Sequence, residues 1–254
     1  QMFPIREHQP GEELLRVEHV RAGTRVKDAS FHVCAGEVVG FAGLVGSGRT
    51  ELMRAVYGAD TPDDGVITLH GNHVDVRSPR SAIRNGIGLV PEDRKSQGLA
   101  LDQSIRFNVG LVRNSTDGFI APSRERQSAK ETLATIGTKY GKLDHAVSSL
   151  SGGNQQKVSF AKWIGMDLKI IILDEPTRGV DVGAKAEIYR IIDDLAKKGL
   201  GVVVVSSELP EIVGLCDRVY VMHEGTVAGH LTGSDISEEN IVEYVMGVKH
   251  DEVA

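Results

Sequence analysis

Residues 37–58 restrict the folds open to this chain more than any other stretch. Glu37-Val38-Val39-Gly40-Phe41-Ala42 is a short, mostly apolar run of β-type residues, the pattern of a fully buried strand. It leads straight into Gly43-Leu44-Val45-Gly46-Ser47-Gly48-Arg49-Thr50. Glu51 to Tyr57 follow with helical periodicity, and Gly58 is suited to end the helix. Glycines lack a Cβ, so the turn between strand and helix can be tight and a ligand can approach the backbone closely. The main-chain N–H groups of 44–50 can then cradle a phosphate. Strand, glycine-rich turn and helix in this order predict an α/β fold.

Two later stretches fit the same chemistry. Leu150-Ser151-Gly152-Gly153-Asn154-Gln155-Gln156 opens a helical run expected to reach about Asp167, with Ser151 as its N-cap. The free N–H groups and positive dipole end of such a helix favour an anion. Lys169-Ile170-Ile171-Ile172-Leu173 reads as another buried strand, and Asp174-Glu175-Pro176 stands at its carboxyl end, where open parallel sheets bind ligands. The glycine-rich turn matches the P-loop spacing G-x-x-x-x-G-K-[ST], except that Arg49 replaces the lysine.

The remaining pattern arranges itself around these motifs. Residues 1–12, with two prolines and a glycine, are expected to be an extended or loosely ordered linker cut from something longer. Leu14–Val20 and Val26–Val33 alternate as half-buried antiparallel strands, and 64–71 adds a strand and turn. Its histidines, His70 and His73, lack a third metal ligand and read as solvated. A helix at 79–85 precedes the strand Ile87–Val90. From 97 to 167 the pattern is helical, with starts at Ser104 and Pro122. Asp181 caps a long amphipathic helix to about Lys198; Val202–Val205 is a buried strand; a hairpin pairs 219–222 with 226–230. Ser237 caps a last helix, Glu238 to Met246, in a tail from 233 to 254.

Composition excludes some classes of function. A net charge of -6 over 254 residues supplies no basic face for a general nucleic-acid binder. Cys34 and Cys216 form no C-x-x-C or metal spacing. No apolar run approaches the roughly 18–20 residues that span a bilayer.

At residues 43–53, 91–95, 150–157 and 173–185 the chain resembles the ATP-binding-cassette (ABC) ATPases. In finer detail it is similar to the C-terminal half of the tandem ATPase subunits of bacterial monosaccharide importers of ribose, galactose and xylose type. The Phe-Pro before Pro10-Gly11-Glu12 also resembles the junction between two such halves. The resemblance implies a P-loop NTPase domain over 13–232: a RecA-like core, an antiparallel β lobe and a helical insert at about 97–167 carrying the signature.

It also implies roles. Gly43, Leu44, Val45, Gly46, Ser47, Gly48, Arg49 and Thr50 would hold the phosphates of ATP, with Glu92, Asp174 and Ser207 around them. Thr50 and Asp174 would hold Mg2+, and Glu175 would polarise the attacking water. Leu150, Ser151, Gly152, Gly153, Asn154 and Gln155 would complete, in trans, the site of a partner cassette paired head-to-tail.

Departures from the family pattern carry information. Arg49 stands where a lysine is usual, Glu92 where a Gln is, and Ser207 where a His is; no aromatic lies at 19–27 to stack on adenine. A guanidinium is a planar fork rather than a compact charge, a carboxylate adds negative charge, and a serine lacks the imidazole's charge and reach. The chain's own site is therefore expected to be degenerate, and the isolated domain weak or inactive. The expected partners are the N-terminal half of the same polypeptide, membrane permease subunits contacted near 92–110, and, indirectly, a periplasmic sugar-binding protein, with the chain peripheral at the cytoplasmic face. Two other readings stay open: a non-transport ABC ATPase, and a non-hydrolysing regulatory or dimerisation module.

Overall fold

A computed structural model describes residues 2–7, 9–118 and 121–251. Residues 1 and 8 of the expected linker, 119–120 of the insert and 252–254 of the tail lie outside the described residues. The alternation over 13–34 becomes two antiparallel strands, β1 (Glu13–Ala22) and β2 (Val26–Cys34). The buried run becomes β3 (Val38–Ala42), and the glycine-rich turn delivers it into α1 (Arg49–Val56). β4 (Asp64–Leu69) and β5 (Asn72–His73) pair beside β1. Then come α2 (Pro79–Arg84), capped by Ser78, and β6 (Ile87–Val90). The insert holds α3 (Ile105–Asp117), α4 (Pro122–Thr135) and α5 (Gly152–Ala161). After it run β7 (Ile170–Asp174), α6 (Val182–Lys197), β8 (Gly201–Val205), α7 (Leu209–Leu215), β9 (Arg218–His223), β10 (Thr226–Thr232) and α8 (Glu238–Val245).

The strands form one mixed sheet in the order β5-β4-β1-β2-β10-β9-β3-β8-β7-β6. β9, β3, β8, β7 and β6 are mutually parallel. The antiparallel lobe joins them where β10 meets β2 at Thr226 and Asp28. Because side chains alternate along a strand, each central strand feeds two cores. Val38, Ile171, Leu173, Val202 and Val204 face Phe160, Ile188, Ile192 and Ile212 of α5, α6 and α7. Val39, Phe41, Ile172, Val203 and Val205 face Leu52 and Met53 of α1 and the lobe's Leu15, Val17 and Phe31. The insert has its own small core, Ile105, Val109, Leu133, Val147 and Val158 among others. α5 ties insert to sheet, since Val158 faces that core while Phe160 faces the central one.

One expectation changes, one is narrowed, and the tail takes a defined place. The signature helix stops at Ala161 rather than near Asp167: Gly165 turns back at φ +81°, and Trp163 packs against Gly88, where a Cβ would lie 2.9 Å from its ring. The first residues are not loosely ordered: Phe3 stacks on Tyr189 and Arg6 is bound to Asp193 and Asp217. The tail packs back on the sheet, with Ile241, Tyr244 and Val245 in the central core. There Asp251 accepts from the His230 N–H at 2.8 Å and the Tyr244 hydroxyl at 2.6 Å.

Candidate active site

The sheet's carboxyl edge collects the predicted residues. At the end of β3 the chain turns through 43–48, and α1 begins with Gly48 at its N-cap and no side chain capping it. Its first N–H groups therefore stay open toward the turn. Gly48 takes φ +99°, and a Cβ there would sit 2.4 Å from the Arg25 carbonyl oxygen. The Ser47 hydroxyl is buried without a hydrogen-bond partner, while Leu44 and Val45 are exposed. This is a backbone cradle of the kind that receives phosphate.

Asp174 closes β7 and is 3% exposed, and its Oδ1 has no partner. Burial pushes its carboxyl up to about 6; the bond from Thr50 and the Arg49 charge oppose this shift, and the neighbouring Glu175 adds to it. An orphaned, buried carboxylate oxygen beside a threonine hydroxyl fits a hydrated divalent cation. Magnesium characteristically takes one or two carboxylates and completes its shell with water and substrate phosphates. Among the described residues no cluster of His, Cys, Asp and Glu could hold a metal by itself. His70 and His73 are both exposed.

The raised carboxyl makes a stability prediction. Its folded-state value lies above the unfolded one, so the folded chain is favoured most below about pH 4, and that preference is lost as pH rises through 6. Without ligand, Asp174→Asn should therefore raise the melting temperature at pH 8 by an amount worth at most about 3 kcal/mol. The gain should shrink as pH falls toward 4, and a gain independent of pH would refute the burial argument.

Glu175 holds φ +49°, rare for a residue with a side chain, and its N–H donates to the Val205 carbonyl at 2.8 Å. That bend sets its carboxylate beside Ser207, whose hydroxyl donates to Oε2 at 3.1 Å. Arg49, 6% exposed, does not stand over the turn; its Nη1 donates to the Ser206 carbonyl at 2.7 Å. Glu92 is ion-paired with Arg178, so its charge is met from within the chain. Arg94 grips the same loop, donating to the Arg178 carbonyl at 2.8 Å.

The signature stands apart, on the insert. Ser151 Oγ accepts from the Asn154 N–H at 3.4 Å and from its side-chain amide at 3.0 Å. Gly152 abuts the Gly179 carbonyl, and a Cβ on Gly153 would lie 2.6 Å from that of Ala184. Asn154 accepts from the Lys139 N–H at 2.9 Å, and Gln155 donates to the Leu150 carbonyl at 3.1 Å. Gln156, buried, donates to the Pro176 carbonyl at 2.8 Å, tying the signature helix to the loop after Glu175. Thus 43–50, 174–175 and 206–207 come together, while 150–155 lies across the 176–184 loop from them.

Sequence reasoning missed Arg25, Arg178 and Gln156. Arg25 closes the cradle, donating to the Gly46 carbonyl at 3.3 Å. Each acts through a contact distant in sequence; Gln156 and Arg178 stand inside the motif stretches 150–157 and 173–185, and Arg25 alone lies outside every motif.

A family model for the ABC transporter matches residues 26–178. Ribose import ATP-binding protein RbsA 3 of Rhizobium meliloti (strain 1021) is 52% identical over 246 residues, 95% of this chain and 49% of that protein. Ribose import ATP-binding protein RbsA of Geobacillus kaustophilus (strain HTA426) is 47% identical over 248 residues, 96% of this chain and 50% of that protein. The chain spans about half the length of these curated relatives. Among solved structures, a nucleotide-binding cassette described as an ATP-binding cassette of an ABC transporter superposes with a TM-score of 0.78 at 22% identity, over 92% of this chain and 98% of that one. A dimeric post-hydrolysis cassette bound to ADP and Pi gives 0.75 at 20%, over 86% and 98%. These two share the fold, and the sequence relatives share far more of the residues. Motifs, sheet order and matched span agree, and the chain belongs to the ABC transporter family.

Proposed function

We propose that this chain is the C-terminal nucleotide-binding half of a sugar-importer ATPase subunit. It couples ATP binding and hydrolysis to a membrane permease at the cytoplasmic face, and a periplasmic sugar-binding protein delivers the substrate. The partner cassette is the N-terminal half of the same polypeptide, paired head-to-tail. The two ribose import relatives, matched over about half their length, support the sugar and tandem readings.

In the chain's own site the 43–50 cradle binds the phosphates of ATP, and Thr50 and Asp174 hold Mg2+. The metal supplies charge neutralisation to the phosphates. Glu175, held by Ser207 and by its backbone bond to Val205, is placed to accept a proton from water.

One observation carries the unequal roles of the two faces. The signature start is capped and Ser151 is exposed, whereas the Arg49 guanidinium is spent on the Ser206 carbonyl. The guanidinium is thus held at Ser206 rather than over the 43–50 cradle, and the signature serves the partner's ATP. The same Arg49 contact favours one second reading, a non-hydrolysing regulatory or dimerisation module.

Calorimetric titration with MgATP, beside Arg49→Lys, tests this. The lysine variant, which lacks the Nη1 donor that holds the Ser206 carbonyl, is expected to bind at least about tenfold more tightly, a gain of about 1.4 kcal/mol. Tight binding and steady hydrolysis by the unmodified chain would overturn the degenerate-site reading. Tight binding by both proteins with hydrolysis by neither would favour the regulatory module.

A further inference from the structure

Residues 3–6 sit on the network that shapes the loop after Glu175. Phe3 stacks on Tyr189 with ring centroids 4.8 Å apart and planes 24° from parallel. It also covers Gly214, where a Cβ would stand 2.5 Å from its ring. Arg6 fastens the segment. Nη1 donates to Asp193 at 2.6 Å, and Nε and Nη2 donate to Asp217 at 3.1 and 2.8 Å. Nη2 also donates to the Gly36 carbonyl at 3.1 Å. The three charged side chains are 11%, 6% and 7% exposed, so removing one leaves buried charge behind.

Under Phe3, Tyr189 is fully buried, with its hydroxyl beside Thr177 and Glu211. Thr177 donates to Glu211 at 2.7 Å. Glu211, itself buried, lies beside the Ser206 side chain, and the Ser206 carbonyl accepts from Arg49. Thr177 lies two residues past Glu175, in a loop closed by Arg178 N–H to the Glu175 carbonyl and Val180 N–H to the Thr177 carbonyl, both at 3.1 Å. These contacts lead from residues 3–6 toward the two carboxyl-edge loops. Buried polar networks are fully satisfied or costly, so a displaced ring is felt along the whole set.

We propose that residues 3–6 are a strap, and that Tyr189, Thr177 and Glu211 are positioning residues that hold Glu175 and the Ser206 carbonyl in place while the strap is seated. The three act through the loop and touch no phosphate. Their bearing on turnover rests on the ATPase reading above; the mechanical link does not.

Amide hydrogen exchange on the 254-residue chain reads the link directly. Two variants are compared with wild type: Phe3→Ala combined with Arg6→Ala, which unseats the strap, and Tyr189→Phe, which keeps the stacked ring and removes only the hydroxyl. Both are expected to speed exchange at the Glu175, Arg178 and Val180 amides about tenfold, while the β3 amides keep their rates. Loosening confined to α6 and α7 in the first variant, or an unchanged loop in Tyr189→Phe, would overturn the proposal. In an assembled ATPase whose partner site has been inactivated, so that only this chain's own site turns over, Tyr189→Phe should lower the residual kcat about fivefold with KM for ATP within twofold. A change in KM alone would remove the positioning role. If the wild-type assembly hydrolyses no ATP, the functional reading fails, and the exchange rates still decide whether the strap exists.

Discussion

Gly48→Ala is expected to collapse the phosphate cradle and to lower the melting temperature by several degrees. Two independent costs meet at this position. The backbone stands at φ +99°, which an L side chain adopts at a cost of about 1–2 kcal/mol. The new methyl would also lie 2.4 Å from the Arg25 carbonyl oxygen. That neighbour is main chain in the turn before β2, so it cannot rotate away as a side-chain tip would. Relief requires either the 43–50 turn or the Arg25 turn to move, and both are closed by the Arg25 bond to Gly46. The combined penalty is on the order of 3 kcal/mol, or about 6–12 °C for a chain of this size. The N–H groups of the α1 start would no longer converge, so phosphate affinity should fall with stability. Thermal unfolding with and without MgATP checks both. A variant that melts within a degree of wild type would show that the turn has more freedom than the geometry allows.

Ser151→Trp in the full-length assembled transporter is expected to lower ATPase activity at least a hundredfold, while this chain still folds. Ser151 contributes a cap to α5, worth about 1 kcal/mol, a loss a folded domain tolerates. Its larger importance is spatial. The side chain is exposed, while Gly152 beside it is half-buried and Gly153 buried against Ala184. An indole there fills the approach a partner's nucleotide would use and removes a hydroxyl and N–H donors from it. Lost donors at a developing charge cost 10²–10³ in rate. Ser151→Ala serves as the control, since it gives up the cap but leaves the approach open; its activity should fall far less. Turnover of the tryptophan variant within a few-fold of wild type would mean that the signature does not complete the working site.

Local chemistry made much of this molecule legible in its sequence. The buried runs at 37–42, 169–173 and 202–205 are continuous β-type stretches between turn residues, and they became β3, β7 and β8. Ser104, Ser151, Asp181 and Ser237 each accept the backbone N–H that an N-cap should. Such features are decided within a few residues by φ/ψ preference, capping and hydrophobic period. The cradle, the strand-end Asp174 and the signature start are of this kind, so their positions could be read directly.

What the residues of the site do to one another was settled only by the fold. The sequence shows an arginine in the turn; the sheet order puts Ser206, at the end of neighbouring β8, within 2.7 Å of it. Glu92 reads as an added negative charge until the chain brings Arg178 against it. Phe3 and Arg6 read as part of a linker because nothing nearby in sequence binds them. Asp193, Asp217 and Tyr189, which do, arrive from α6 and the start of β9. A hydrogen bond or ion pair depends on a few tenths of an ångström between groups far apart along the chain. Sequence pattern fixes which elements form; the packing of those elements sets these distances, and with them the charge and freedom of each side chain.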